Sequence, residues 1–368
     1  MGIELFDELV FGVREAAWPA IRHDLSLSYT QVGLLLSIPG LASLVLEPAI
    51  GVLGDLGRRR ALIVAGGIGF AAALLLAAAA PGFGLLLAAF LLAFPSSGAF
   101  VSLSQATLMD LDPRSRERNM ARWTLAGSFG VAAGPLLFAA THSWRWTLVG
   151  LAAVALALTL LVRRFAFEGR AERAGFRTAL AALRRREVLR WLAVLELQDL
   201  GGDVLYGYLA LYFVDVVGVS ATTAALVVAA WTGADLIGNL VLLRVLRRVP
   251  GTTYIRVTAV AVAVLFPLFQ LVGGLWPKLV LIGVVGALHS GWYPVAKGRL
   301  YAELPGLSGT AMGISTVTGL LGSALPLAVG LLAARFGLHD AFWLVLLAPV
   351  ALLLGVPREP KVGQTQRV

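Results

Sequence analysis

The stretch of sequence that decides the fold reads ALIVAGGIGFAAALLLAAAA and covers residues 61–80. It contains no charged side chain, and as an α-helix it would be about 30 Å long, which matches the hydrocarbon core of a bilayer. Comparable apolar stretches follow one another along all 368 residues, of which 58% are hydrophobic and only 14% charged. A soluble domain does not need so apolar a composition to fill its core. We therefore expect an all-α membrane protein.

The apolar stretches predict twelve transmembrane helices with mostly short connections. Their expected bounds are 3–22, 29–54, 60–80, 84–108, 121–141, 145–163, 190–213, 220–244, 254–273, 277–298, 309–334 and 339–356. The alternating ten-residue pattern of a transmembrane β-barrel is absent from the sequence, so the spans are expected to form a helical bundle. Abundant Gly and Ala favour close helix packing in lipid.

The positive charges predict the orientation of the chain. The net charge is +9, and clusters of arginine at residues 58–60, 114–122, 163–190 and 244–248 fall on one side of the membrane if the spans alternate. Positive connections are typical of the cytoplasmic side. We therefore expect a multi-pass protein of the cytoplasmic (inner) membrane with both termini in the cytoplasm. The same placement argues against a nucleic-acid surface.

An internal repeat predicts two six-helix halves. The expected boundaries are an N-terminal bundle at 1–163, a cytoplasmic amphipathic linker at 164–189 and a C-terminal bundle at 190–368. One offset of about 192 residues aligns the two halves. The aligned pairs are Asp7 with Asp199, Thr30 with Thr222, Pro113 with Pro305, Gly127 with Gly319 and Gly130 with Gly322. Such duplication is typical of secondary transporters, with the substrate site between the halves.

The connection between the second and third spans resembles the cytoplasmic loop motif of the major facilitator superfamily. It reads GVLGDLGRRR at residues 51–60. Leu56 stands where the family usually has a basic residue, and Arg58 where it usually has glycine. The resemblance covers essentially the whole chain and implies the twelve-helix major facilitator fold. It also implies a conformational latch formed by Gly51, Asp55, Arg59 and Arg60.

The fifth span resembles the Gly-xxx-Gly-Pro signature of the superfamily's antiporters. The residues concerned are Gly127, Gly130, Gly134 and Pro135. Within the superfamily the chain resembles bacterial drug-efflux and fosmidomycin-resistance-type exporters, and lysolipid carriers are an alternative. Spacing of small residues also serves plain helix packing. A third family motif, an arginine in the fourth span four residues before a glycine, is missing because Phe94 precedes Gly98; Arg14 is the expected substitute.

Polar side chains inside the spans are the candidate functional groups. A carboxylate in hydrocarbon is costly unless it is paired, solvated or protonated, so each one is a functional candidate. Helical spacing puts Asp7 and Arg14 on one face of the first span. Glu8 and Glu15 lie on the neighbouring face. The candidates for proton coupling or substrate binding are Asp7, Glu8, Arg14, Glu15, Glu47, Asp199, Asp203, Tyr206, Asp235, Asn239, His289 and Trp292.

Several of these residues also have a plain structural interpretation. Asp7 and Glu8 lie close enough to the end of the span to reach solvated headgroups. Arg14 and Glu15 would neutralise each other. His289 would simply pack between helices. Three tryptophans at span ends are expected to lie in the interfacial belt rather than to contact substrate. They are Trp144, Trp146 and Trp276.

These residues favour a carrier over an enzyme. The chain has no cysteine, no HExxH pair and no nucleotide-binding loop, and Asp199 and Asp203 share one helix face, where a protease dyad needs two helices. We expect a proton-coupled antiporter that exports a small amphipathic or drug-like molecule by rocking-type alternating access. No cofactor besides a proton gradient, no metal and no nucleic acid are expected. A monomer in contact with membrane lipid and a small-molecule or lipid-like substrate is predicted. The alternatives are a lysolipid-type carrier, an uptake facilitator, an intramembrane enzyme and a receptor that does not transport.

Overall fold

The computed structural model describes residues 1–54, 58–111, 116–164, 184–303 and 319–356, and these ranges contain helices and turns but no strand. The predicted all-α fold class is confirmed to that extent. The helices are α1 Gly2–Asp24, α2 Tyr29–Leu53, α3 Arg59–Ala78, α4 Phe83–Leu111, α5 Arg116–Thr141, α6 Trp144–Val162, α7 Arg186–Asp215, α8 Ala221–Val245, α9 Gly251–Leu271, α10 Leu275–His289, α11 Trp292–Glu303, α12 Leu320–Phe336, α13 Leu338–Ala341 and α14 Leu347–Gly355.

The last spans differ in detail from their predicted bounds. The stretch predicted as one helix at 277–298 is divided into α10 and α11 at Ser290 and Gly291. A Cβ atom at Gly291 would collide with the ring of Tyr254, so the chain passes that ring closely. The stretch predicted at 339–356 contains the 3-10 segment Phe342–Leu346 between α13 and α14. The first part of the predicted span 309–334 lies outside the described residues.

Nine helical stretches within the described ranges are long and apolar enough to cross a membrane. Helices α1 and α7 are not among the nine, and they carry most of the predicted acidic candidates. Helix α12 counts as a shorter apolar helix, because only residues from 319 onward are described there. The charges on α1 and α7 thus set these two helices apart from their neighbours, as expected for helices that line a polar path.

The chain forms two compact units. Unit 1 consists of Met1–Arg173, Asp203–Thr232 and Gly319–Phe342. Within it, α1 packs on α5, α3 packs on α4 and α6, and α2 packs on α4 and α12. Unit 2 consists of Ala174–Gly202, Gly233–Thr318 and Trp343–Val368, and within it α9 packs on α10 and α14. The boundary between the two units therefore falls within α7 and again within α8.

The glycines of α5 permit the close contact with α1. A Cβ atom at Gly134 would lie 2.5 Å from the backbone nitrogen of Val13, and one at Gly130 would collide with the carbonyl oxygen of Leu5. Gly12 faces them from α1, where a Cβ atom would lie 2.5 Å from the carbonyl oxygen of Val131. The Gly-xxx-Gly-Pro signature therefore has a packing role in this structure. Its association with antiport stays a prediction.

In unit 1, helices from the first and second halves of the sequence contact each other at the end of the bundle that contains the α1–α2 connection. A Cβ atom at Gly330 of α12 would lie 3.2 Å from the Cα atom of Gly33 of α2, so the two backbones touch. The hydroxyl of Tyr208 donates to the carbonyl oxygen of Pro326 at 2.8 Å. The backbone nitrogen of Leu327 donates to Ser37 Oγ at 3.0 Å. Backbone groups near the proline of α12 are thereby satisfied by the neighbouring helices.

In each unit, an arginine from one helix donates a hydrogen bond to a carbonyl oxygen at the end of another helix. In unit 1, Arg60 donates to the carbonyl oxygen of Arg163, just after α6, at 2.6 Å. In unit 2, Arg256 donates to the carbonyl oxygen of Val356, just after α14, at 2.9 Å. Arginine is well suited to these positions, because the last carbonyls of a helix lack intrahelical partners and carry partial negative charge. The two contacts are related by nearly the predicted repeat offset.

Candidate functional site

A cavity of about 330 Å³ lies inside unit 1, between α1, α2, α3, α4 and α6. On α1 it is lined from Asp7 to Ile21, a helical distance of about 21 Å at a rise of about 1.5 Å per residue. The lining residues therefore extend along about four turns of α1. Its walls change from acidic at one end, through an arginine among aromatic rings, to entirely apolar at the other.

The acidic end contains two of the predicted carboxylates. Asp7 of α1 accepts a hydrogen bond from Ser97 of α4 at 2.6 Å. Glu47 of α2 reaches the same end because α4 has no side chain at Gly98, where a Cβ atom would lie 3.2 Å from Glu47 Cγ. The glycine that the sequence comparison noted in α4 thus makes room for a carboxylate. Ser102 adds a hydroxyl to this end of the lining.

Arg14 occupies the middle of the cavity wall with its charge already paired. Its Nε and Nη2 atoms donate to Glu15 Oε1 at 2.8 and 2.5 Å. Glu15 is only 2% exposed, and its other oxygen accepts from the indole of Trp18 at 3.0 Å. Charged groups that deep are tolerated when paired and hydrogen-bonded in this way. The two side chains thus neutralise each other, and a functional role for the pair stays a prediction.

Aromatic rings surround the guanidinium of Arg14. Its central carbon lies 5.0 Å from the ring centre of Phe11, 5.4 Å from that of Phe94 and 5.9 Å from that of Phe90. Such contacts are favourable electrostatically, since the ring face is negative. They hold the arginine side chain against the wall. Arg14 and these rings therefore form the middle part of the cavity wall.

The apolar end is lined by residues of α1, α3, α4 and α6. Its lining is Ala17, Ile21, Ala77, Leu86, Trp144 and Leu148, and none of these is more than 7% exposed, so this end is closely packed. Trp144 is 2% exposed, and its indole nitrogen donates to Asp24 at 2.8 Å. Trp144 is therefore buried against the cavity and does not face outward as an interfacial anchor would; the prediction that it does not contact substrate stays a prediction. Its hydrogen bond to Asp24 turns the ring inward. Trp146 and Trp276 are 75% and 72% exposed.

Glu8 and Tyr206 lie close to this cavity without lining it. The side chain of Glu8 packs against α5, where its Cβ lies 2.9 Å from the Cβ position of Gly130. The ring of Tyr206 contacts Phe11 at 5.2 Å between ring centres and Trp231 at 4.5 Å. Rings from α7 and α8 thus continue the aromatic wall of α1. Asp203 of α7 is exposed.

The remaining candidates are in unit 2. Asp199 accepts a hydrogen bond from the neighbouring side-chain amide of Gln198. Asn239 donates to the carboxylate of Asp235 at 3.1 Å, so these two side chains are hydrogen-bonded to each other along α8. His289 and Trp292 touch edge to face at 4.9 Å. Trp292 is 1% exposed and donates to Thr258 at 2.8 Å, which places it inside the packing of unit 2.

The predicted latch is only partly within the described residues. Asp55 lies outside them, so its pairing with Arg59 and Arg60 stays a prediction. Arg59 is 5% exposed. Arg60 is bound to the carbonyl oxygen after α6. Gly51 has open space around it, since a Cβ atom there would meet nothing within 4 Å.

Sequence reasoning missed one polar cluster that joins the sequence halves. Arg22 at the end of α1 donates to Asp215 at the end of α7 at 2.8 Å, and Tyr29 at the start of α2 donates to the same oxygen at 2.7 Å. The guanidinium also lies 4.1 Å from the ring centre of Tyr29. We call these three residues the end cluster. Their positions at span ends were visible in the sequence, but their pairing across 193 residues was not.

The chain also resembles known proteins. A stretch of 154 residues is 35% identical to the multidrug efflux pump LfrA of Mycolicibacterium smegmatis (strain ATCC 700084 / mc(2)155). That alignment covers 40% of this chain and 30% of LfrA, so the chain spans about a third of the curated relative it matches.

Solved structures share the fold over nearly all of the chain. A bacterial homolog of the human lysosomal transporter Spinster superposes with a TM-score of 0.80 at 16% identity, covering 96% of this chain and 93% of that one. The nucleoside transporter NupG superposes with a TM-score of 0.78 at 11% identity, covering 96% and 97%. The E. coli fucose:proton symporter FucP superposes with a TM-score of 0.63 at 17% identity, covering 96% of this chain and 97% of that one. At these identities the likeness shows the fold alone.

The family follows from a match along most of the sequence. The profile that describes the Major Facilitator Superfamily matches residues 9–325. This confirms the resemblance inferred from the loop and glycine motifs. It also places the cavity described above within a transporter-like fold. The chain belongs to the Major Facilitator Superfamily.

Proposed function

We propose that the chain is a proton-coupled antiporter that exports a small amphipathic or drug-like molecule by rocking-type alternating access. The observation that carries this proposal is the cavity in which Asp7 and Glu47 lie at one end and mostly apolar residues line the rest. Such a site suits a molecule with one polar and one apolar part. Membership of a transporter family and the likeness of part of the chain to an efflux pump support export.

The acidic end favours a substrate that carries a positive charge. Asp7 and Glu47 both contribute carboxylates there, while the charge of Arg14 is paired with Glu15. A cationic group and a proton would then compete for the same carboxylates. Protonation removes the negative charge that holds the substrate, and loss of the proton restores it. Competition of this kind couples export of substrate to entry of protons.

The membrane architecture follows the same proposal. Twelve spans in two repeats, related by the offset of about 192 residues, would carry both termini on the cytoplasmic side of the inner membrane. The matching arginine contacts of Arg60 and Arg256 support the repeat, since each closes the end of the last helix in its half. The functional unit would be a monomer, with the latch at residues 51–60 acting on the cytoplasmic side.

The test is transport by the purified protein in proteoliposomes with an imposed pH gradient. The probe is a fluorescent lipophilic cation, and the variants are Asp7→Asn and Glu47→Gln, with Glu187→Gln as a control at an exposed acid outside the cavity. We expect gradient-driven movement of the dye in the parent protein and the control. Either cavity variant should slow it about tenfold or more, the effect of losing about 1.4 kcal/mol of binding.

Two results would overturn the proposal. Dye movement that proceeds equally without a pH gradient would exclude proton coupling. Gradient-driven movement at the parent rate in both Asp7→Asn and Glu47→Gln would remove the cavity from the mechanism. Correct folding of each variant would be checked by circular dichroism and by elution as a single species in gel filtration.

A further inference from the structure

We propose that Ser97 of α4 is a positioning residue that stabilises the ionised form of Asp7 and so sets the pH at which Asp7 releases its proton. This rests on the proposed function, because Asp7 is one of the two carboxylates to which that function assigns proton binding. It goes further by naming the side chain that controls this carboxylate. The hydroxyl of Ser97 donates to Asp7 Oδ1 at 2.6 Å.

The hydroxyl of Ser97 is bonded differently from two other hydroxyls of the same helix. Within a helix, serine and threonine side chains often donate to the carbonyl oxygen four residues earlier. Ser104 and Thr107 of α4 do so, at 2.6 and 2.7 Å. Ser97 instead donates to α1, 90 residues away in the sequence. Its hydrogen bond therefore joins two helices, and the acceptor is a carboxylate rather than a backbone carbonyl.

Asp7 needs a hydrogen-bond donor because its surroundings are otherwise unfavourable for a charge. It is partly buried, and the nearby cavity wall includes the apolar side chains of Val10 on α1 and Phe70 on α3. Burial among apolar groups disfavours the ionised form of a carboxyl group, and a hydrogen bond donated to the carboxylate favours it. Ser97 is the donor that the described part of the chain supplies.

The other ionisable groups in the lining of the cavity do not replace this hydrogen bond. They are Arg14 and Glu47. Arg14 lies two turns along α1 from Asp7, and its guanidinium donates twice to Glu15. Glu47 of α2 carries the same charge as Asp7 when both are ionised, and like charges disfavour ionisation. The hydroxyl from α4 therefore acts against the effect of Glu47.

Two further acids of α1 lie close to Asp7, but their side chains face α5. A Cβ atom at Gly127 of α5 would lie 2.9 Å from Glu4 Oε1 and 3.2 Å from Glu8 Cγ. Both acids are near enough to interact with the charge of Asp7, and each opposes ionisation of Asp7 when it is itself ionised. The acids of α1 and α2 thus oppose a charge on Asp7, and Ser97 of α4 favours it.

A neutral donor suits a carboxylate that must both gain and lose a proton. One turn before Ser97, the cavity wall of α4 carries the uncharged side chain of Phe94. A hydrogen bond from a charged donor is roughly twice as strong as one from a neutral donor, and an arginine bonded to Asp7 would hold it ionised over a wide pH range. A hydroxyl stabilises the carboxylate less, so Asp7 keeps the ability to bind a proton.

Infrared spectroscopy tests the role of Ser97 without any substrate. The protein is held in lipid nanodiscs, and the absorption band of protonated carboxyl groups is recorded as the pH is raised. The part of this band that is missing in Asp7→Asn belongs to Asp7. In Ser97→Ala that part should disappear about one pH unit higher than in the parent protein. Without the hydroxyl the carboxylate is less stable, so the proton is held about tenfold more tightly.

Three matched variants separate the hydrogen bond from packing. Ser97→Thr keeps the hydroxyl, and its Asp7 band should titrate as in the parent protein. Ser97→Cys keeps the shape of the side chain but offers a weaker donor, so the shift should have the same direction as in Ser97→Ala and be smaller. Ser128→Ala removes a hydroxyl of α5 that donates to the carbonyl oxygen of Thr124 at 3.1 Å, and it should leave the Asp7 band unchanged.

The outcomes separate this inference from the proposed function. The role of Ser97 is refuted if the Asp7 band titrates at the parent pH in both Ser97→Ala and Ser97→Cys, or if Ser97→Thr shifts as far as Ser97→Ala. Gradient-driven dye transport by the same preparations would then show that the proposed function stands. A shift in Ser97→Ala that is absent from Ser97→Thr supports the role of Ser97, and it would do so even if dye transport ignored the pH gradient and the proposed function failed.

Discussion

Replacing Asp215 with asparagine should open the end of the bundle at which the two sequence halves meet. One carboxylate oxygen of Asp215 accepts from Arg22 at 2.8 Å and from Tyr29 at 2.7 Å. Arg22 and Tyr29 belong to the first half of the sequence and Asp215 to the second. The proposed rocking-type transport would require this end to separate, and the end cluster would then favour the state in which it is closed.

The size of the effect follows from the exposure of the pair. The side chains of Arg22 and Asp215 are 29% and 26% exposed, so the ion pair is partly screened by solvent. Asparagine keeps a carbonyl acceptor for Tyr29 and loses the charge that strengthens both hydrogen bonds. We estimate a loss of about 1.4 kcal/mol, which is roughly a tenfold change in the ratio of open to closed molecules.

Spin-label distances provide the assay. The chain has no cysteine, so labels at Trp146→Cys and Phe336→Cys would be the only ones present. Both positions are exposed, at 75% and 57%, and they report on the two halves at this end. Pulsed dipolar spectroscopy should show a longer-distance population that grows about tenfold relative to the short one in Asp215→Asn.

The matched control is Asp24→Asn. Asp24 is an acid at the same end of α1, but its partner Trp144 belongs to the same sequence half. This variant should leave the distance distribution unchanged. An unchanged distribution in Asp215→Asn, or an equal shift in the control, would refute the assignment of a conformational role to the end cluster.

Three further predictions concern stability and are measured by thermal unfolding in detergent. Gly130→Leu should destabilise the protein by about 1–3 kcal/mol or more, because the side chain meets the backbone of α1, whereas Gly150→Leu has open space and should be neutral. Glu15→Gln should cost about 3–5 kcal/mol, because it leaves the charge of Arg14 without its partner; an unchanged midpoint would contradict this. Lys278→Met should cost about 1–3 kcal/mol, because Lys278 Nζ donates to the carbonyl oxygen of Phe269 at the end of α9 at 2.5 Å; if Lys278→Arg is equally destabilised, the hydrogen bond is not the cause.

The candidate site shows where prediction from sequence reached its limit. Helical spacing on α1 placed Asp7 and Arg14 on one face, and both line the cavity. The spacing rule works because it depends on a single helix. It could not supply Ser97, which bonds to Asp7 across 90 residues, or the absence of a side chain at Gly98 that admits Glu47.

The sequence by itself predicted the approximate positions of most of the described helices and the family to which the chain belongs. Both depend on local properties, namely the length of apolar runs and short glycine and arginine motifs. These properties do not depend on how the helices pack against one another. The tertiary structure alone decided which polar side chains meet across distant helices. Trp144 turned inward because Asp24 lies beside it, and Arg22 paired with Asp215 because two distant helix ends adjoin. Such contacts depend on the packing of whole helices, and no local pattern in the sequence encodes them.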